Sequence, residues 1–160
     1  MAFTLRSNDL KDGDKMPQQQ VFNGMGYSGE NLSPHLAWDG VPEGTKSFAI
    51  TVYDPDAPTG SGWWHWGVAN IPADVRELAT GAGSGKSGLP AGAVQTRTDF
   101  GKAGYGGAAP PKTETHRYQF TVHALDVDHL DVDDNTSGAM LGFNLHHHSL
   151  GNASLTVTFN

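Results

Sequence analysis

The chain contains no cysteine. That excludes a disulfide framework, a thiolate nucleophile and a thiolate zinc site. It also fits a reducing compartment, so a cytoplasmic protein is expected. No run of about 18 apolar residues is present, so no segment reads as a membrane-spanning helix. The start of the chain, Met-Ala-Phe-Thr-Leu-Arg, has no basic stretch leading into an apolar run and does not read as a secretory signal. Positive charge is scarce as well: 10 Lys+Arg against 17 Asp+Glu leave a formal net charge of −7. With no Lys/Arg cluster to offset that field, a nucleic-acid backbone or an anionic membrane surface is a disfavoured partner. A single phosphate group is still acceptable, because local donors decide such binding. There is no Gly-x-Ser-x-Gly elbow, so no activated serine is evident.

The 160 residues fit one domain over 1–160, and 21 glycines with 9 prolines point to many turns between short strands. Strands are expected at 3–5, 47–53, 65–71, 117–125 and 154–159, by β-branched and aromatic content or by alternation. Within 117–125, Tyr118, Phe120, Val122 and Ala124 alternate with Arg117, Gln119, Thr121 and His123. One helix is expected over 138–148, capped by Asn135 or Thr136, with His146, His147 and His148 in its last turn, where partial positive charge is favourable. The loops 80–92 and 101–107 are long and Gly-rich, as functional loops commonly are. The fold class is mainly β: a sandwich with Greek-key topology and one or two short peripheral helices.

Three segments carry chemistry. Asp54-Pro55-Asp56-Ala57-Pro58 follows the strongest strand. Its two prolines make the turn rigid and hold two carboxylates in place, and a cis Ala57–Pro58 bond would suit such a shape. Gly62-Trp63-Trp64-His65-Trp66 surrounds one histidine with indoles. Strand alternation places Trp63 with His65 on one face and Trp64 with Trp66 on the other. The third segment runs from Gly104 through Ala109-Pro110-Pro111 to His116-Arg117-Tyr118. Its glycines let backbone amides approach an anion. His116 and Tyr118 share a face and can both donate to a phosphate oxygen, whereas Arg117 points away in a structural role.

These segments, together with Asn31-Leu32-Ser33-Pro34 and Trp38, resemble the phosphatidylethanolamine-binding protein family, also called Raf kinase inhibitor-like, in its bacterial branch. The similarity runs from about Ser7 to Phe159. It implies a Greek-key β-sandwich with a small cavity for phosphate-like anions at one end. By matching position, the ligand-binding residues are Asp54, Asp56, Ala57, Pro58, His65, Ala109, Pro110, Pro111, His116 and Tyr118, with Trp63 as an aromatic wall. The chain departs from the family pattern in having Ala109 where a glycine is frequent, a shorter Lys112-to-His116 loop than the animal form, and no long C-terminal helix. The resemblance also implies a phosphorylethanolamine-like head group as ligand, a kinase or protease as possible protein partner, and a homodimer.

The residues suggest how such a cavity works. Asp54 or Asp56 accepts a proton-bearing nitrogen of His65 or His116, which raises that histidine's pKa and leaves its far nitrogen for the phosphate. No cofactor and no metal are expected. The alternative is a metal-dependent hydrolase built from Asp54, Asp56, His65 and His116, since imidazole and carboxylate suit zinc or manganese. The aspartate-rich stretch 126–134 lacks the glycine an EF-hand loop needs at its sixth place, where Asp131 stands, and reads as a solvated turn.

Overall fold

The computed structural model describes residues 2–85 and 88–160. Eight strands and one α-helix make up the architecture: β1 (Thr4–Arg6), β2 (Leu36–Asp39), β3 (Ser47–Asp54), β4 (Trp63–Pro72), β5 (Glu77–Leu78), β6 (Val94–Gln95), β7 (His116–Leu125), α1 (Gly138–His148) and β8 (Ser149–Phe159). They form a three-stranded sheet ordered β1-β2-β5 and a five-stranded sheet ordered β6-β4-β3-β7-β8, with every pairing antiparallel. Within the larger sheet, the first four strands in chain order lie fourth-first-second-third, which is Greek-key order.

The alternation of β7 shows why the sheets stack. Tyr118, Phe120, Val122 and Ala124 turn inward to meet Phe48, Ile50 and Val52 of β3 and Leu36 and Trp38 of the smaller sheet in one buried core. A second, smaller core lies on the outer face of the five-stranded sheet. There Ala49, Ala69 and Leu125 pack under Leu141 and Leu145 of α1. The helix occupies the expected span. Its cap is Ser137 and not Asn135 or Thr136, because the Ser137 hydroxyl accepts from the amide of Met140. In its last turn His148 pairs with Asp126 at 2.9 Å and His147 contacts the Phe143 carbonyl at 3.0 Å. Three short strands, β2, β5 and β6, escape the sequence reading because two to four residues are too few to show a period. Strand β8 begins five residues earlier than expected, since pairing with β7 overrides the weak propensity of Gly151 and Asn152. Part of the loop 80–92 lies outside the described residues.

The outer face holds one titratable group with a stability consequence. His123 of β7 contacts the Thr51 hydroxyl at 2.9 Å, and burial pushes its pKa down to about 4. A depressed histidine contributes stability that is complete above its unfolded value near 6.5 and is lost as pH falls toward 4. Unfolding free energy should therefore drop by up to about 3 kcal/mol over that window. Urea denaturation across pH 4 to 7 checks it. The His123→Gln variant should show a flatter profile, and an equally steep one would assign the loss elsewhere.

Candidate functional site

The cavity opens at one end of the sandwich, where β3 ends and β4 and β7 begin. Its volume is about 300 Å3. Ten of the expected residues line it: Asp54, Ala57, Pro58, Trp63, His65, Ala109, Pro110, Pro111, His116 and Tyr118. Asp56 does not line it. Its carboxylate turns to Arg117 and accepts from the backbone amide at 2.9 Å, from Nε at 2.9 Å and from the guanidinium NH2 at 2.8 Å. The hydrogen bonding of Arg117 holds the Asp56 carboxyl down to about 2. Arg117 is thus structural, as its position in the strand implies, and it takes Asp56 with it. The Asp54–Pro58 turn is closed by the Asp56 amide donating to Asp54 Oδ1 at 2.8 Å, an Asx-type contact that needs no cis bond. Ala57–Pro58 is trans.

A β-bulge sets the histidine. Val52 pairs with Trp66 and Tyr53 with Trp64, so His65 is the extra residue between them. Simple alternation, which puts Trp64 and Trp66 on one face, therefore fails here. Trp66 enters the core between the sheets. Trp64 stays outside, with its ring 4.3 Å from that of Tyr53. His65 and Trp63 both face the cavity. The bulge is pinned from the glycine-rich loop: the Gly106 amide donates to the His65 carbonyl at 2.9 Å, and His65 Nδ1 donates back to the Gly106 carbonyl at 2.8 Å. That bond fixes Nδ1–H and leaves Nε2 as the free ring atom. Burial holds the His65 pKa below its ordinary value, so the ring is neutral near pH 7.

The glycine-rich loop serves the fold more than expected. The Gly107 amide donates to Asn31 Oδ1 at 2.7 Å, and a Cβ at Gly107 would run into the Gln20 carbonyl oxygen. These glycines permit close backbone packing, and the amides of Gly106 and Gly107 are spent inside the protein instead of facing an anion.

His116 carries the strongest electrostatics. Its Nδ1 contacts Asp54 Oδ2 at 2.6 Å, with both side chains 3% exposed, and its Nε2 contacts Glu114 Oε1 at 2.6 Å. Burial alone would lower its pKa, but the hydrogen bonds and charges of Glu114 and Asp54 outweigh that and hold it above the ordinary value. Of the alternative pairings of Asp54 or Asp56 with His65 or His116, the one that forms is Asp54–His116. Of the four residues of the hydrolase alternative, Asp54, His65 and His116 line the cavity, but Asp56 is turned away to Arg117. Among the described residues no group of three or more His, Asp or Glu side chains is placed to hold a metal ion.

Two lining residues carry a buried donor without a protein partner: the Tyr118 hydroxyl and Trp63 Nε1. Sequence reasoning found both residues but missed Met25, Tyr27, Thr59, Phe100 and Lys112, which complete the lining. Tyr27 donates to the Pro110 carbonyl at 2.5 Å, and Lys112 Nζ lies 3.6 Å from the Tyr27 ring centroid. No spacing rule links a residue near 25 to one near 110, so only Thr59, beside Pro58, and Lys112, beside the proline pair, carried a local signal.

The sequence profile of the phosphatidylethanolamine-binding protein matches residues 6–160. The chain belongs to that family. It is 69% identical over 155 residues to the UPF0098 protein YbhB of Escherichia coli, covering 97% of this chain and 98% of that protein. The crystal structure of E. coli YbcL, described as a new member of the mammalian family, superposes with a TM-score of 0.96 at 53% identity, covering 99% of this chain and 98% of that one. A homologue from Chlamydia trachomatis superposes with a TM-score of 0.83 at 30% identity, covering 99% and 97%. The two-sheet architecture found here matches that of its E. coli relative YbcL.

Proposed function

We propose that this phosphatidylethanolamine-binding protein family member binds a phosphate-type anion, such as the phosphate of a phosphorylethanolamine-like head group, in the cavity between Asp54, His65, His116 and Tyr118, without chemical turnover. The observation that carries this reading is the pair of unpartnered buried donors, Tyr118 Oη–H and Trp63 Nε1–H. A buried donor without an acceptor costs about 1–3 kcal/mol, and a cavity holding two of them is complementary to an acceptor-only group. The adjacent His116 supplies positive charge held in place by Asp54. The His65 Nε2 either accepts from a protonated ligand oxygen or, once protonated, donates to an anion.

Affinity should follow protonation. His116 stays charged to a pH above 6.5, so anion binding weakens as pH rises through its raised pKa. His65 takes up a proton only on the acid side of 6.5, where a bound anion would favour that uptake. Titration of both rings by NMR, with and without O-phosphorylethanolamine, tests the ligand and the protonation scheme together. Ring shifts at His65 and His116 and roughly tenfold weaker binding at pH 8.5 than at pH 6.5 are expected. Flat affinity across that range, or unmoved rings, would reject it.

A further inference from the structure

The outer nitrogen of His116 is already occupied, and by a side chain that can leave. Glu114 closes the turn after the proline pair through its own amide, which donates to the Pro111 carbonyl at 2.9 Å. Its carboxylate meets His116 Nε2 at 2.6 Å while remaining 40% exposed, whereas the Asp54 carboxylate on the other side of the ring is 3% exposed. The two carboxylates therefore differ in kind. Asp54 is fixed by burial and by the Asp56 amide. Glu114 can rotate into solvent without disturbing its backbone bond.

Nε2 carries one hydrogen, so it serves one acceptor well. An oxyanion that uses Tyr118, Trp63 and His116 must displace Glu114. Because Glu114 is tethered, it competes at the high effective concentration of an intramolecular group. Once displaced, its negative charge stays tethered two residues from His116, and so near the newly bound anion, which is unfavourable unless the ligand brings a cation. Lys112, a cation that lines the cavity, is engaged with the Gly26 carbonyl at 3.1 Å and the Tyr27 ring.

We propose that Glu114 is an exchangeable internal ligand: it holds His116 when the cavity is empty, yields that nitrogen to an entering oxyanion, and then pairs with the cationic arm of an aminoalkyl phosphate. The proposal rests on the reading of the cavity as an oxyanion site. It makes Glu114 the residue that sets the preference for a zwitterionic ligand over a plain anion.

Calorimetric titration at pH 7 tests it, using the wild type, Glu114→Gln, Glu114→Ala and Tyr118→Phe with inorganic phosphate and with O-phosphorylethanolamine. Both Glu114 variants should bind inorganic phosphate roughly tenfold more tightly, since no tethered carboxylate opposes it. The wild type should prefer O-phosphorylethanolamine by roughly threefold to fivefold, the worth of one exposed ion pair, and the variants should lose that preference. Unchanged or weaker phosphate binding by both variants, or a preference that survives them, overturns the assignment of Glu114. If Tyr118→Phe binds phosphate as the wild type does, or if none of the four proteins binds either compound, the oxyanion site itself falls and Glu114 with it.

Discussion

Replacing Asp54 by alanine is expected to lower the unfolding free energy by about 3–5 kcal/mol, the usual cost of removing one partner from a buried ion pair. Asp54 is 2% exposed and has two tasks. Its Oδ1 accepts from the Asp56 amide and shapes the proline turn, and its Oδ2 holds His116 Nδ1 at 2.6 Å. Alanine leaves an amide and an imidazole N–H buried without acceptors. A domain has about 5–15 kcal/mol of stability in all, so the change is a large fraction of it. The same substitution should move the pH dependence of anion binding to lower pH, because His116 then keeps only Glu114 to raise its pKa. A double-mutant cycle with His116→Ala, followed by urea denaturation, separates the pair from the turn. Coupling of about 1–3 kcal/mol is expected for residues in direct contact. Additivity within about 0.5 kcal/mol would mean that Asp54 acts through the turn alone.

The sequence carried the parts of this site that depend on local order. The alternation through β7 puts Tyr118 and His116 on the inward face and Arg117 on the outward one, and the structure agrees. The proline pair and the Asp54–Pro58 turn likewise read as rigid cavity walls and line it. What stayed illegible depends on contacts between distant segments. The bulge at His65 is set by pairing to β3 and by Gly106, 41 residues on, so a period-two reading of the tryptophan segment assigned Trp66 to the wrong face. The partner of Asp56 is a second example. Two carboxylates two residues apart look equivalent in sequence, yet the strand direction delivers Asp54 to His116 and Asp56 to Arg117. The role of Glu114 was invisible for a related reason: nothing in Pro-Pro-Lys-Thr-Glu-Thr-His says that the turn folds the glutamate back onto the histidine.

Replacing Tyr118 by phenylalanine should move stability and affinity in opposite directions, and that sets it apart from a change in the core. The ring is 1% exposed and packs edge-on to His65, with centroids 5.1 Å apart. Phenylalanine retains that packing. The hydroxyl is buried without a protein acceptor, and burial pushes its pKa up, so it remains a neutral donor. Deleting an unsatisfied buried hydroxyl removes a cost of about 1–3 kcal/mol, so the free variant should be at least as stable as the wild type, by up to about 1 kcal/mol. A hydrogen bond to a charged acceptor contributes about 1.5–3 kcal/mol, so affinity for inorganic phosphate should fall roughly tenfold or more. Thermal unfolding and calorimetric titration on one preparation read both effects. A destabilised variant with unchanged phosphate affinity would make the hydroxyl part of the scaffold, held by an ordered water. The opposite signs would identify it as a group that the fold keeps at a cost to its own stability because the ligand supplies the missing acceptor, as polar groups buried at binding sites commonly do.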